Sequence, residues 1–140
     1  MTLHFIDTNI FMYAIGSSHS FREPSQQLIR MIQEEKIKAI INVEILQEVL
    51  YRYHAINKAQ IGYDLFEMLL QSFPVIWSVS KEDLLEAKKI QEKYNIKIRD
   101  AIHAATMKSN GITRLISTDK EFDHVDIVIR IDPMAYASIN

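Results

Sequence analysis

Five short apolar runs, at 3–6, 38–41, 75–79, 114–117 and 127–130, alternate along this chain with stretches whose apolar residues recur at helical spacing. Runs this short and rich in Ile, Leu and Val read as strands buried on both faces. Parallel strands cannot be joined by tight hairpins, so each crossover requires a helix. The alternation therefore predicts an α/β fold with a mostly parallel sheet of about five strands. Helices are expected from Asp7, over 20–35, from Val43, over 58–72, over 80–94 and from Ile98. Leu46, Val49, Leu50 and Tyr53 share one face of the third of these, with Glu44, Glu48 and Arg52 on another. Ile98, Ala101, Ile102 and Ala105 stand at i, i+3, i+4 and i+7, and Gly111 marks that helix's end.

The 140 residues suit one core, and the three glycines and three prolines do not cluster into a linker, so one domain spanning 1–140 is expected. Cysteine is absent, which excludes disulfides, thiolate zinc sites, iron–sulfur clusters and a cysteine nucleophile. Any metal must sit on oxygen or imidazole. There is no Gly-rich phosphate loop and no serine in a nucleophile-elbow context. No apolar segment reaches about 18 residues and the start lacks a leader pattern, so a cytoplasmic protein with no membrane association is expected. A net charge of −2 argues against whole-surface attraction to nucleic acid and leaves room only for a local basic patch.

Four acids stand apart. Asp7 follows the first strand, Glu48 lies in the helix after the second, Asp100 opens a helix and Asp119 follows the fourth strand. In an open parallel sheet the carboxyl ends of the strands share one edge, where ligands bind. Several carboxylates gathered there repel one another unless a cation neutralises them, and oxygen ligands suit Mg²⁺ or Mn²⁺. Each acid has a simpler alternative, because Asp is a common helix cap and Glu48 by itself would be a solvated helix face. Other acids, such as Glu34, Glu35, Glu82 and Glu86, fall on helix surfaces.

Four segments in order resemble the PIN-domain family: Phe5-Ile-Asp-Thr-Asn-Ile-Phe11, the helix carrying Glu48, Arg99-Asp-Ala-Ile-His-Ala-Ala105, and Ile116-Ser-Thr-Asp-Lys-Glu-Phe-Asp123. The chain is most similar to the small toxin ribonucleases of VapBC toxin–antitoxin pairs. The resemblance implies a three-layer α/β/α sandwich and an endoribonuclease using Mg²⁺ or Mn²⁺. Carried over by position, Asp7, Glu48, Asp100 and Asp119 form the catalytic and metal-binding quartet. Asp123 is a candidate fifth ligand, and Thr8, Asn9 and Ser117 are hydrogen-bonding support, with Thr118 an alternative to Ser117 for the hydroxyl role after the fourth strand. Within it, Asp7, Asp100 and Asp119 would hold the metal while Glu48 orients or deprotonates water. Glu44 and Glu48 share a helix face, so spacing leaves the choice between them open; the family's small polar residue ending the strand, here Asn42, favours Glu48. The resemblance also implies an RNA substrate, a small antitoxin partner and a homodimer.

Arg22, Lys36, Lys38, Arg52, Lys58, Lys97 and Arg99 are candidates to hold a phosphate backbone beside an acidic pocket, Arg99 first because it adjoins Asp100. Most such residues are ordinary surface charges. Tyr51, Tyr53 and Tyr63 suit base stacking or packing, and the stripe Ile61, Leu65, Met68 and Leu69 suits core or a partner surface. The histidines, His4, His19, His54, His103 and His124, show no metal-ligand spacing. Two rival readings stand beside the nuclease. One is a catalytically silent PIN-like module binding RNA or protein, against which four converging acids weigh. The other is a phosphatase or receiver-type domain, which would need an Asp-x-Asp pair after the first strand that this chain lacks.

Overall fold

The structure is a computed structural model and describes residues 2–137. In chain order the elements are β1 (Leu3–Ile6), α1 (Thr8–Ile15), α2 (Arg22–Gln33), β2 (Lys38–Asn42), α3 (Val43–Ala55), α4 (Ala59–Ser72) and β3 (Ile76–Trp77). They continue with α5 (Lys81–Tyr94), α6 (Ile98–Ser109), β4 (Arg114–Ile116), a 3₁₀ helix (Lys120–His124), β5 (Ile129–Ile131) and a second 3₁₀ helix (Pro133–Tyr136). The strands form one sheet in the order β3-β2-β1-β4-β5 and every pairing is parallel. With the helices flanking the sheet, this is the expected α/β/α arrangement.

Two strands depart from their sequence-predicted ranges by more than one residue at an end. The third is only Ile76–Trp77, paired to Ile41 and Asn42. It lies at the sheet edge directly after Pro74-Val75, and a short edge strand offers little backbone for unwanted pairing. The fifth begins at Ile129, because Val128 N–H turns back to the Val125 carbonyl at 3.0 Å and pairing starts only where Ile129 N–H reaches the Thr113 carbonyl at 2.7 Å.

Phe5, Ile6, Ile41, Leu115 and Ile116, from the three central strands, are fully buried, as a sheet covered on both faces requires. α4 lies against α3 at Gly62, where a Cβ would come 3.0 Å from Tyr53 Cβ and 3.3 Å from the Val49 carbonyl oxygen. Tyr53 is therefore a packing residue, whereas Tyr51 and Tyr63 are exposed. Leu65 and Leu69 of the apolar stripe enter the core, Met68 is half-buried and Ile61 is exposed. Among the described residues no helix is long and apolar enough to cross a membrane.

The strand order places the functional edge. From β1 the chain builds outward to β2 and β3 on one side, then to β4 and β5 on the other, so the order reverses between β1 and β4. A crevice opens at such a reversal, outside the carboxyl ends of the strands. Asp7 follows β1 there, and Ser117 to Asp119 follow β4.

Candidate active site

Asp7 is held from several directions. It is the N-cap of α1, its Oδ1 accepting from Thr8 N–H at 2.8 Å. Its Oδ2 accepts from the Ser117 hydroxyl at 2.7 Å and from Asn9 Nδ2 at 3.2 Å. Ser117 Oγ in turn accepts from Asp119 N–H at 3.0 Å, and Asn9 Oδ1 accepts from Thr118 N–H at 3.3 Å. Ser117, rather than Thr118, thus supplies the hydroxyl that ties the two turns together. Burial holds the Asp7 carboxyl above its usual range, against the nearby His103 and the Ser117 hydrogen bond, which favour the carboxylate.

Glu48 is buried on the second turn of α3. Its Oε1 accepts from Thr8 Oγ1 at 2.8 Å, and its Oε2 lies 3.2 Å from Arg99 Nε and 3.4 Å from Arg52 Nη1. Burial pushes its pKa up, but contact with His103 and Thr8 and the charge of Arg99 outweigh it and leave Glu48 below the usual range. Glu44 on the preceding turn is only half-buried and makes no hydrogen bond or ion pair of its own among the described residues; burial raises its pKa.

His103 is the component the sequence did not single out. It is 0% exposed on α6, its ring 5.2 Å from that of Phe5, and its Nε2 lies 3.6 Å from Glu48 Oε1 and 3.9 Å from Asp7 Oδ1. Asn42 sets the tautomer. As the N-cap of α3 it accepts from Ile45 N–H through Oδ1 at 3.1 Å, which turns its amide NH₂ toward Thr106 Oγ1 at 3.2 Å and His103 Nδ1 at 3.3 Å. Nδ1 therefore accepts, and this network assigns the ring proton to Nε2, aimed at the two carboxylates. At these distances Nε2 has no formal hydrogen bond and remains a buried polar atom without a partner. Burial disfavours charge on the ring, while Glu48 and Asp7 favour it and leave its pKa raised.

A second group lies farther out. Ligand atoms of Asp100, Asp119 and Glu121 come within 4.8 Å of one another, as do those of Asp7, Glu48 and His103. Asp119 caps the first 3₁₀ helix, accepting from Glu121 N–H at 3.0 Å. Asp100 accepts no side-chain hydrogen bond among the described residues, and burial together with the charges of Asp7 and Asp119 pushes its pKa to about 7. Carboxylates this close, with one carboxyl pushed toward neutrality and an unpartnered buried nitrogen behind them, fit a divalent cation bound through oxygen.

The structure thus brings Asp7, Glu48, Asp100 and Asp119 to one edge, with Thr8, Asn9, Ser117 and Arg99 in contact with members of the group. Asp123 is drawn elsewhere: its two oxygens meet Arg130 Nε at 2.8 Å and Nη2 at 3.2 Å. Arg130 also donates from Nη1 to the Ser117 carbonyl at 3.0 Å, holding the turn that carries Ser117 and Asp119. Glu121 was not singled out, although it stands two residues beyond Asp119 on a turn whose capping bond brings it back. For His103 the available signal was its place three residues after Asp100, one helical turn along the same face.

The PIN domain model matches residues 4–128, and the chain belongs to the PIN-domain family. It is similar to Ribonuclease VapC13 of Mycobacterium tuberculosis, 30% identical over 119 residues that cover 84% of this chain and 91% of that protein. Ribonuclease VapC2 of Methanocaldococcus jannaschii is 23% identical over 137 residues, covering 89% of each. Among solved structures, that of VapBC2 from Rickettsia felis, bound to a DNA fragment from its promoter, matches with a TM-score of 0.72 at 15% identity, over 94% of this chain and 98% of that one. At that identity the shared property is the fold.

Proposed function

We propose that this chain is a divalent-metal-dependent endoribonuclease and the toxin of a toxin–antitoxin pair. The observation that carries the catalytic reading is the meeting of Asp7, Glu48, Asp100 and Asp119 from four separate elements at the crevice between β1 and β4. The names of the similar ribonucleases support RNA as the substrate. Mg²⁺ or Mn²⁺ would be held by Asp7, Asp100 and Asp119, and when bound would lower the pKa of a water and neutralise charge on the scissile phosphate.

The chain's own side chains supply the rest. Ser117, Asn9 and the Thr8 amide fix both oxygens of Asp7, so its orientation needs no adjustment when the site is loaded. Glu48, bonded to Thr8 and faced by two arginines, stays ionised at neutral pH and is suited to orienting water rather than taking its proton. Arg99 meets Glu48 through Nε, which leaves its Nη donors for a phosphate oxygen. His103 places a buried N–H dipole beside Asp7 and Glu48, which favours their ionised forms.

The similar fold of a toxin–antitoxin complex from Klebsiella pneumoniae and of VapBC-5 from Mycobacterium tuberculosis supports a small antitoxin partner. The groove lined by Ile15, Ile61 and Met68, beside Asp64, offers apolar surface for it, and we extend the reading to a homodimer. Purified chain incubated with single-stranded RNA should cut it with Mg²⁺ or Mn²⁺ and not in EDTA. Asp7→Asn and Asp100→Asn should each abolish cutting with unchanged far-UV circular dichroism. Cleavage that persists in EDTA, or in both variants, contradicts the mechanism. Metal-dependent binding of RNA without any cleavage would favour the silent module instead.

A further inference from the structure

A cleft of about 220 Å³ borders the acidic centre at Glu48 and Arg99 and extends beyond it over Glu44, Gln47, Tyr51, Lys97 and Ile98, which that centre does not use. One wall is a single face of α3, where Glu44, Gln47 and Tyr51 stand at i, i+3 and i+7. The other wall is the entry to α6, with Lys97 and Arg99 flanking Ile98. Tyr51 is 62% exposed and Ile98 43%, so each wall presents an uncovered apolar surface. Among the described residues the side chains of Gln47, Tyr51 and Lys97 make no hydrogen bond or ion pair, and Glu44 belongs to neither group of prospective metal ligands.

A flat molecule with apolar faces, a hydrogen-bonding edge and a neighbouring phosphate matches these walls. A nucleobase has that form: its faces stack on aromatic and apolar side chains, its edge meets carboxylate and amide groups, and its phosphate meets cations. Of the four RNA bases only guanine carries two adjacent N–H donors on its Watson–Crick edge, which one carboxylate accepts together. Glu44 supplies such a carboxylate, and Gln47 one turn on supplies an amide.

We propose that this cleft is a guanine-binding subsite, which takes the base adjoining the phosphodiester presented to the acidic centre. The placement relative to cleavage rests on the endoribonuclease reading; guanine recognition does not. Lys97 and Arg99 hold the phosphate of the bound nucleotide, Tyr51 stacks on the base and Glu44 distinguishes it.

Two arms test this. In the first, the metal-free chain is titrated by ¹⁵N NMR with GMP, AMP, CMP and UMP. GMP should bind about tenfold more tightly than the others, the effect of one bidentate contact, and shift signals of residues 44–51 and 97–99. Glu44→Gln should level the four affinities. Tyr51→Ala should weaken all four by about tenfold, and Tyr51→Phe should restore them. Equal affinities in the wild type, or GMP shifts mapping elsewhere, overturn the proposal. In the second arm, oligonucleotides with a single guanine at each position are cut in Mg²⁺, and cleavage should fall beside the guanine, a preference lost in Glu44→Gln. Metal-dependent cutting with no base preference overturns the subsite and leaves the nuclease standing. Selective GMP binding without any cutting removes the nuclease and assigns the cleft to a free guanine nucleotide.

Discussion

The two halves of the acidic cluster differ in how their charge is met. In the inner half, Asp7 and Glu48 are each 4% exposed, yet both Asp7 oxygens are hydrogen-bonded, Glu48 faces two arginines and His103 lies behind both. In the outer half, Asp100, Asp119 and Glu121 converge with no side chain among the described residues donating to them. The inner half has hydrogen-bonding and charged partners of the chain's own, whereas in the outer half only the charges of His103 and Arg99 favour the Asp100 carboxylate, against burial and the charges of Asp7 and Asp119. Burial without compensation is costly, whereas burial with hydrogen bonds and opposite charge is not.

The largest expected effect breaks the inner half. Glu48→Ala leaves Thr8 unpaired and two arginines without their carboxylate, and should cost about 2 kcal/mol in urea denaturation, less than a fully enclosed pair because the arginines reach water. Glu48→Gln, which keeps an acceptor for Thr8, should cost less. Equal stability of Glu48→Ala and wild type would mean that the inner half is not a structural unit.

The outer half should respond with the opposite sign. The folded-state pKa of Asp100, about 7, stands above the ordinary aspartate value of 3.8, so the folded state binds its proton more tightly than the unfolded chain does. The contribution of this group to stability is therefore complete below about pH 4 and is lost as pH rises through 7. In EDTA at pH 8, Asp100→Asn should melt a few degrees above wild type. That advantage should shrink as pH falls toward 5. A gap that is constant with pH would show that Asp100 is not under electrostatic strain.

A smaller effect is expected at Arg130, whose Nη1 holds the Ser117 carbonyl. Arg130→Met should lower stability by about 1 kcal/mol and weaken Mn²⁺ binding by isothermal titration calorimetry, since the turn carrying Asp119 loses its anchor. Smallest of all, Asp123→Asn should weaken Mn²⁺ binding less than Asp119→Asn does. The reverse order would put Asp123 on the metal.

The central sheet was legible because a doubly covered parallel sheet demands short apolar runs, which Phe5 and Ile6 in β1 and Ala39 to Ile41 in β2 provide. The edge strand Ile76–Trp77 and the start of β5 were less so, since their limits come from which carbonyl lies opposite and not from their own residues. Asp7 looked like a helix cap or a site acid, and its oxygens show why neither reading excluded the other: Oδ1 caps α1 while Oδ2 joins Ser117. Its place one turn after Asp100 was the only local mark of His103, whose neighbours Asp7, Asn42 and Glu48 come from other elements. A histidine on the buried face of an amphipathic helix signals only that some partner must exist. Asp123 followed the family pattern in sequence, but the guanidinium of Arg130 on the next strand pairs with it in the folded chain.

The claim that the outer acids await a cation is tested most directly by melting wild type and Asp100→Asn at pH 8, each in EDTA and in saturating Mn²⁺. Wild type should rise on the order of 8 °C at about 100 times the dissociation constant. Asp100→Asn should start higher in EDTA and gain much less. If Mn²⁺ moves neither protein and the two curves coincide in both buffers, the acids are helix caps and surface charge, and the metal site does not exist.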